Sequence, residues 1–167
     1  SHPAGFLKSI ETKVRPYLEK IGFQLRDPAT YIRLRDGVEI NKIQFQRQRI
    51  NEKICVNLHV NYAFMLDAAI NGKVENVPDF LPSLIDDRLH PPKVTDKWWP
   101  FKPESIDEIA NLIIEKTEPY FEPYRINGQI SELTPQTVVL GLPDYFEFLC
   151  IDFHFYTLAK LNAYKGK

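Results

Sequence analysis

The sequence predicts an α+β fold, and three observations predict it. Apolar residues recur at helical spacing at the start of the chain and again after Ser105. Between them lie four short runs suited to strands, and turn residues separate these runs closely enough for antiparallel neighbours. The expected architecture is a four- to five-stranded antiparallel meander packed against an N-terminal helix and C-terminal helices. It is expected as a single domain over residues 1–167, with residues 1–4 set aside as a tag remnant or disordered start.

The first helix rests on Phe6, Ile10, Val14, Tyr17 or Leu18, and Ile21, one apolar stripe at spacings of three and four. Gly22 then suits the C-terminal cap, where the left-handed conformation costs glycine least, while Pro16 is expected to kink the helix or lose a backbone bond there. Strand one covers Phe23 to Arg26. Strand two covers Thr30 to Arg35 and ends at Asp36-Gly37, a dipeptide that favours a two-residue hairpin. Strand three covers Val38 to Gln48, and its apolar parity changes between Ile40 and Ile43, which predicts a β-bulge near Asn41-Lys42. Strand four is the clearest, with Ile54, Val56, Leu58, Val60 and Tyr62 alternating with Cys55, Asn57, His59 and Asn61.

Six prolines between Pro78 and Pro103 leave room for little beyond a short strand near Leu84 to Leu89. Ser105 and Glu108 have the spacing of a capping box and predict the start of the next helix. Thr134-Pro135 signals another short element, and Tyr145 to Tyr164 a last, strongly apolar helix.

Composition narrows the function classes. The chain has 167 residues, 44% hydrophobic and 26% charged, enough to bury a core without disulfides or a structural metal. Its two cysteines form neither a disulfide framework nor a zinc site. No apolar run is long enough for a membrane span, and no signal-peptide layout opens the chain, so a cytoplasmic protein is expected. Net charge is −1, but residues 1–60 hold 11 lysines and arginines against 6 acids, and residues 61–167 hold 10 against 16. Either the two halves neutralise each other or one surface meets a charged partner.

No local motif announces catalysis. There is no nucleophile elbow, phosphate-binding loop, dinucleotide fingerprint or His-Glu-x-x-His pair, and the four histidines are scattered. No cofactor, metal ligand or catalytic residue is therefore expected. What remains is a polar set: with the apolar parity of each strand assigned to the core, the opposite face collects Gln24 and Arg26, Tyr31, Arg33 and Arg35, Gln44 and Gln46, and Asn57, His59 and Asn61. Amides both donate and accept, and arginine offers a rigid donor fork for carboxylates, so this face reads as a recognition surface. The alternatives are an ordinary exposed face and one covered by the acidic second half. Trp98 and Trp99 are adjacent in a loop, and on an extended backbone their side chains must point opposite ways. One is expected in the core and the other over the sheet edge. Arg88 is expected to pair with Asp86 or Asp87.

The order of these pieces resembles a bacterial family of small α+β domains of unknown function. The pieces are the helix ending at Gly22-Phe23, Tyr31-x-Arg33, Ile43-x-Phe45-Gln46, Val56-Asn57-Leu58, Arg88-Leu89, and Trp98-Trp99 before a helix. Some members of that family are thought to be toxin-immunity proteins, so the resemblance implies a protein partner of that kind and no established catalytic residue. The expected function is a non-enzymatic protein-binding domain that neutralises a cognate toxin. Its contacts would come from Arg26, Tyr31, Arg33, Arg35, Gln44, Gln46, Asn57, His59, Trp98 and Trp99. The alternatives are a nucleic-acid-binding module on the basic sheet face, with Tyr31 as its stacking residue, and a small-ligand enzyme using His59 as acid and base.

Overall fold

The computed structural model describes residues 3–66, 68–81 and 83–125, together with Ala163. Helix α1 (Pro3–Lys20) leads into β1 (Gln24–Asp27), β2 (Thr30–Arg35), β3 (Glu39–Gln48) and β4 (Lys53–Tyr62). Two short strands, β5 (Ile85–Arg88) and β6 (Trp99–Pro100), precede helix α2 (Pro103–Phe121). The strands form one antiparallel sheet in the order β1-β2-β3-β4-β5, with β6 also paired to β4. The predicted α+β class and meander are therefore observed, with one strand more than the five allowed for. Helix α1 takes in Pro3 and Ala4. The elements expected after Thr134 and over Tyr145 to Tyr164 lie outside the described residues.

Contacts group the described chain into two compact units. The first comprises residues 3–33, 42–58 and 87–122, the second residues 34–41, 59–86 and 123–125.

In the first unit, α1 buries Phe6, Ile10, Val14 and Leu18, the predicted stripe. Its end is a Schellman motif: the Phe23 amide donates to the Leu18 carbonyl (2.8 Å) and the Gly22 amide to the Glu19 carbonyl (3.1 Å). Gly22 has φ +100°, which explains the glycine. The helix runs through Pro16. Helix α2 buries Ile109, Leu112, Ile113 and Phe121. Phe6 packs on Phe101 with ring centroids 5.0 Å apart, Phe23 on Phe121 at 5.9 Å, and Lys13 reaches Asp107 at 2.7 Å. The capping box is not formed. α2 starts at Pro103, whose fixed φ suits the first turn, and its cap residue Lys102 makes no side-chain bond. Ser105 lies inside that turn, buried, with its amide donating to the Lys102 carbonyl.

In the second unit, the Val38 amide donates to the Arg35 carbonyl (3.0 Å) across Asp36 and Gly37, at φ +53° and +72°. Two successive positive φ values define the type I′ turn that the dipeptide predicts. A Cβ on Gly37 would meet the Gly72 backbone at an ordinary 3.6 Å, so the cost of replacing it is conformational. Gly37→Val should destabilise the protein by about 1–3 kcal/mol through that strain, read as a lowered melting temperature. The segment after β4 is irregular yet buries Met65, Ile70, Val77, Leu81 and Leu84. The amide of Leu84 donates to the Val60 carbonyl (3.0 Å), and Tyr62 stacks on Phe64 and donates its hydroxyl to the Tyr124 carbonyl (2.9 Å). Burial, reinforced by the charge of Glu39, holds the Tyr62 phenol above its usual range.

The parity break in β3 falls in a fully covered stretch. Glu39, Ile40, Asn41, Lys42 and Ile43 are all buried, so both faces of the strand are covered there. Burial lowers the Lys42 amine below the usual lysine range.

Candidate functional site

The sheet face expected to be polar and exposed divides into three fates. Gln24 pairs with Ile32, and Leu25 with Tyr31. Directly opposed residues share a face, so Gln24 lies on the side away from Tyr31 and Arg33. This corrects the placement of those residues on one surface. Arg26 falls where the register shifts, between Leu25 and Asp27, and is half-buried.

Tyr31 and Arg33 are interior residues. Tyr31 is 1% exposed, and burial, with the nearby charges of Glu11 and Glu19, pushes its phenol up to about 12. The nucleic-acid alternative thus has a covered stacking residue. Arg33 is 3% exposed and holds two helices together. Its Nη1 donates to the Ile21 carbonyl (3.0 Å), one of the orphan acceptors at the end of α1, and to Glu118 Oε1 on α2 (2.6 Å). Its guanidinium lies 4.5 Å from the Phe23 ring centre and 5.6 Å from that of Phe121.

Arg35, in the second unit, is also buried rather than offered to solvent. Its Nη2 (2.5 Å) and Nε (3.1 Å) both donate to Glu39 Oε2, and Asn41 Nδ2 donates to the same oxygen (2.7 Å). The face was expected to lack acids. Glu39 and Glu118 supply them, one for each buried arginine.

His59 lies in the second unit, half-buried, with Nδ1 against the Ser83 hydroxyl. Asn61 is buried, accepting the Tyr62 amide (2.7 Å). Gln44 is half-buried.

What the first unit does bring together is Gln46, Asn57 and Trp98, joined by Arg88 and Asp96. Asn57 Nδ2 donates to Gln46 Oε1 (2.9 Å), which places the β3 and β4 amides on one face. The Arg88 Nε lies 3.5 Å from Asn57 Oδ1, its Nη1 donates to Asp96 Oδ1 (2.5 Å), and its guanidinium sits 4.9 Å from the Trp98 ring centre. The Cys55 thiol lies fully buried beneath, 3.8 Å from both Gln46 Oε1 and Asn57 Oδ1. Burial raises the thiol above its usual range despite the opposing effect of Arg88, so it is a structural thiol rather than a poised nucleophile.

The tryptophan pair behaves as the alternation requires. Trp99 pairs with Ile54 in β6 and is 1% exposed, whereas Trp98 is half-buried over Arg88. Arg88 was expected to pair with Asp86 or Asp87. Its side chain reaches Asp96 instead, and only its backbone amide meets Asp87 (2.7 Å). Arg88 and Asp96 lie outside the contact residues that the sequence predicts. The available signal was the parity of β5 beside a tryptophan that could not also enter the core.

Among the described residues no group of three His, Cys, Asp or Glu side chains could hold a metal ion, and no helix is long and apolar enough to cross a membrane. An α+β domain with a polar, arginine-centred patch on its sheet is the class that the geometry defines. The chain belongs to the DUF4304 family, a domain of unknown function, whose model matches residues 14–123. No curated protein and no solved structure matches it.

Proposed function

We propose that the protein is a non-enzymatic protein-binding domain and that Gln46, Asn57, Arg88 and Trp98 form its recognition surface. The observation that carries this reading is the arginine stacked on a tryptophan and steadied by a neighbouring amide, with 30% of its side chain exposed. Arginine and tryptophan are the residue types that most often dominate binding energy at interfaces, and a guanidinium held in place loses little entropy on contact. The narrower form of the proposal is an immunity protein that covers the active site of a cognate toxin. It is supported by the order of short motifs described above. The nucleic-acid alternative has less support, because Tyr31 is buried and Trp98 already carries Arg88.

The test uses a host protein that co-purifies with this one and is then titrated as a pure component. Arg88→Glu should weaken that complex about thirtyfold or more, the scale of a hot-spot residue, with the melting temperature unchanged. Normal affinity would remove this surface from the account.

A further inference from the structure

Arg88 is held on three sides in an uneven way. Trp98 covers one face of the guanidinium, Asn57 Oδ1 lies at a long 3.5 Å from Nε, and Asp96 takes Nη1 alone. The ion pair is one-pronged, although the guanidinium fork suits two parallel bonds to a carboxylate. Among the described residues Nη2 has no partner. Asp96 is itself 59% exposed, whereas Asn57 is fixed from behind by Gln46. The fixed part of the cluster is therefore Gln46, Asn57, Arg88 and Trp98, and the replaceable part is Asp96.

From this we infer that the Arg88–Trp98 clamp takes a carboxylate side chain from a partner protein, and that Asp96 occupies this position in the unbound protein and is displaced on binding. The inference rests on the protein-binding reading and adds the chemistry of the contact. The incoming carboxylate accepts from Nη1 and Nη2 together, so exchange replaces a single-pronged pair with a forked one. The amide of Asn57 stays on the Nε side and keeps the plane of the fork fixed. Charge complementarity favours a protein over a nucleic acid. A lone guanidinium suits one isolated carboxylate, whereas a nucleic-acid backbone calls for several cations spaced along its phosphates.

The exchange has a direct test. The wild-type protein and Asp96→Asn are titrated with a blocked Gly-Gly-Glu-Gly-Gly peptide, its Gln counterpart and inorganic phosphate, following the Arg88 Nε–H and Trp98 indole N–H resonances. The Glu peptide should shift both signals and the Gln peptide neither. Asp96→Asn should bind the Glu peptide about two- to fivefold more tightly, the factor that an exposed ion pair can withhold. Arg88→Lys, which keeps the charge but loses the fork, should abolish the shift of the Trp98 indole signal. Equal affinity in wild type and Asp96→Asn would overturn the displacement. Shifts with phosphate that match or exceed those with the Glu peptide would overturn the carboxylate assignment. If the peptide binds neither protein but a pure partner still depends on Arg88, only the present inference fails. If the partner ignores Arg88, the protein-binding reading of this face fails with it.

Discussion

Glu39→Ala should cost about 3–5 kcal/mol of stability, the usual penalty for stripping one member from a buried ion pair. Glu39 is fully buried, and its Oε2 collects three donors, two from Arg35 and one from Asn41. Removing the carboxylate takes an anion away from the buried Arg35 charge and an acceptor from Asn41. Whole domains are stable by only about 5–15 kcal/mol, so such a loss is a large share of the total. The pair is not inherently stabilising, since desolvation of both charges opposes their attraction. Arg35→Met with Glu39→Leu should therefore recover much of what Glu39→Ala loses. Urea unfolding of the two variants checks this, with the midpoint reporting stability and an unchanged slope confirming the same transition. A single variant as stable as the wild type would mean that the cluster is open to water in solution.

Arg33→Glu is the second large effect. It replaces a guanidinium that ties the Ile21 carbonyl to Glu118 with a carboxylate facing both. It also removes the cation that lies beside both the Phe23 and Phe121 rings. Glu118 is 39% exposed, so water screens part of the repulsion, and the expected loss is about 3 kcal/mol, the lower end for a broken buried pair. Arg33→Met, which keeps an apolar stem against the two rings, should cost less. The ordering of the two melting temperatures is the check, and equal values would mean that packing rather than charge holds the two helices there.

These arginines show where the sequence stopped being legible. The alternation in β4 is readable because Ile54, Val56, Leu58 and Val60 occupy one parity and every intervening residue is polar or small. In β2 both parities look plausible to a pattern: Ile32 and Leu34 on one, and Tyr31, Arg33 and Arg35 on the other. Assigning the arginines to solvent follows from their average behaviour. Whether an arginine can be buried depends on its partner, and Glu118 is 85 residues away from Arg33. No local pattern carries that information. Glu39, only four residues from Arg35, was within reach, but the intervening hairpin hides the contact from a linear reading.

Local geometry fared better. Asp36-Gly37 and Gly22 were legible because positive φ is a property of a few residues and leaves a mark on sequence. The Trp98-Trp99 pair was legible because an extended backbone alternates its side chains whatever surrounds it. The capping box was not, since Ser105 and Glu108 match its spacing while Pro103 starts the helix two residues earlier. Of the candidate surface, Gln46, Asn57 and Trp98 came from parity, while Arg88 and Asp96 needed the fold to bring β5 beside β4 and the 90s loop beside both.

Arg33 and Arg35 hold the fold, and Arg88 is the arginine proposed to meet a partner. This division is tested most directly by measuring melting temperature and partner affinity on Arg33→Glu and Arg88→Glu side by side. Arg33→Glu is expected to lower the melting temperature, and Arg88→Glu to melt like the wild type and no longer bind. Arg88→Glu binding normally, or Arg33→Glu melting normally while losing the partner, would contradict the division.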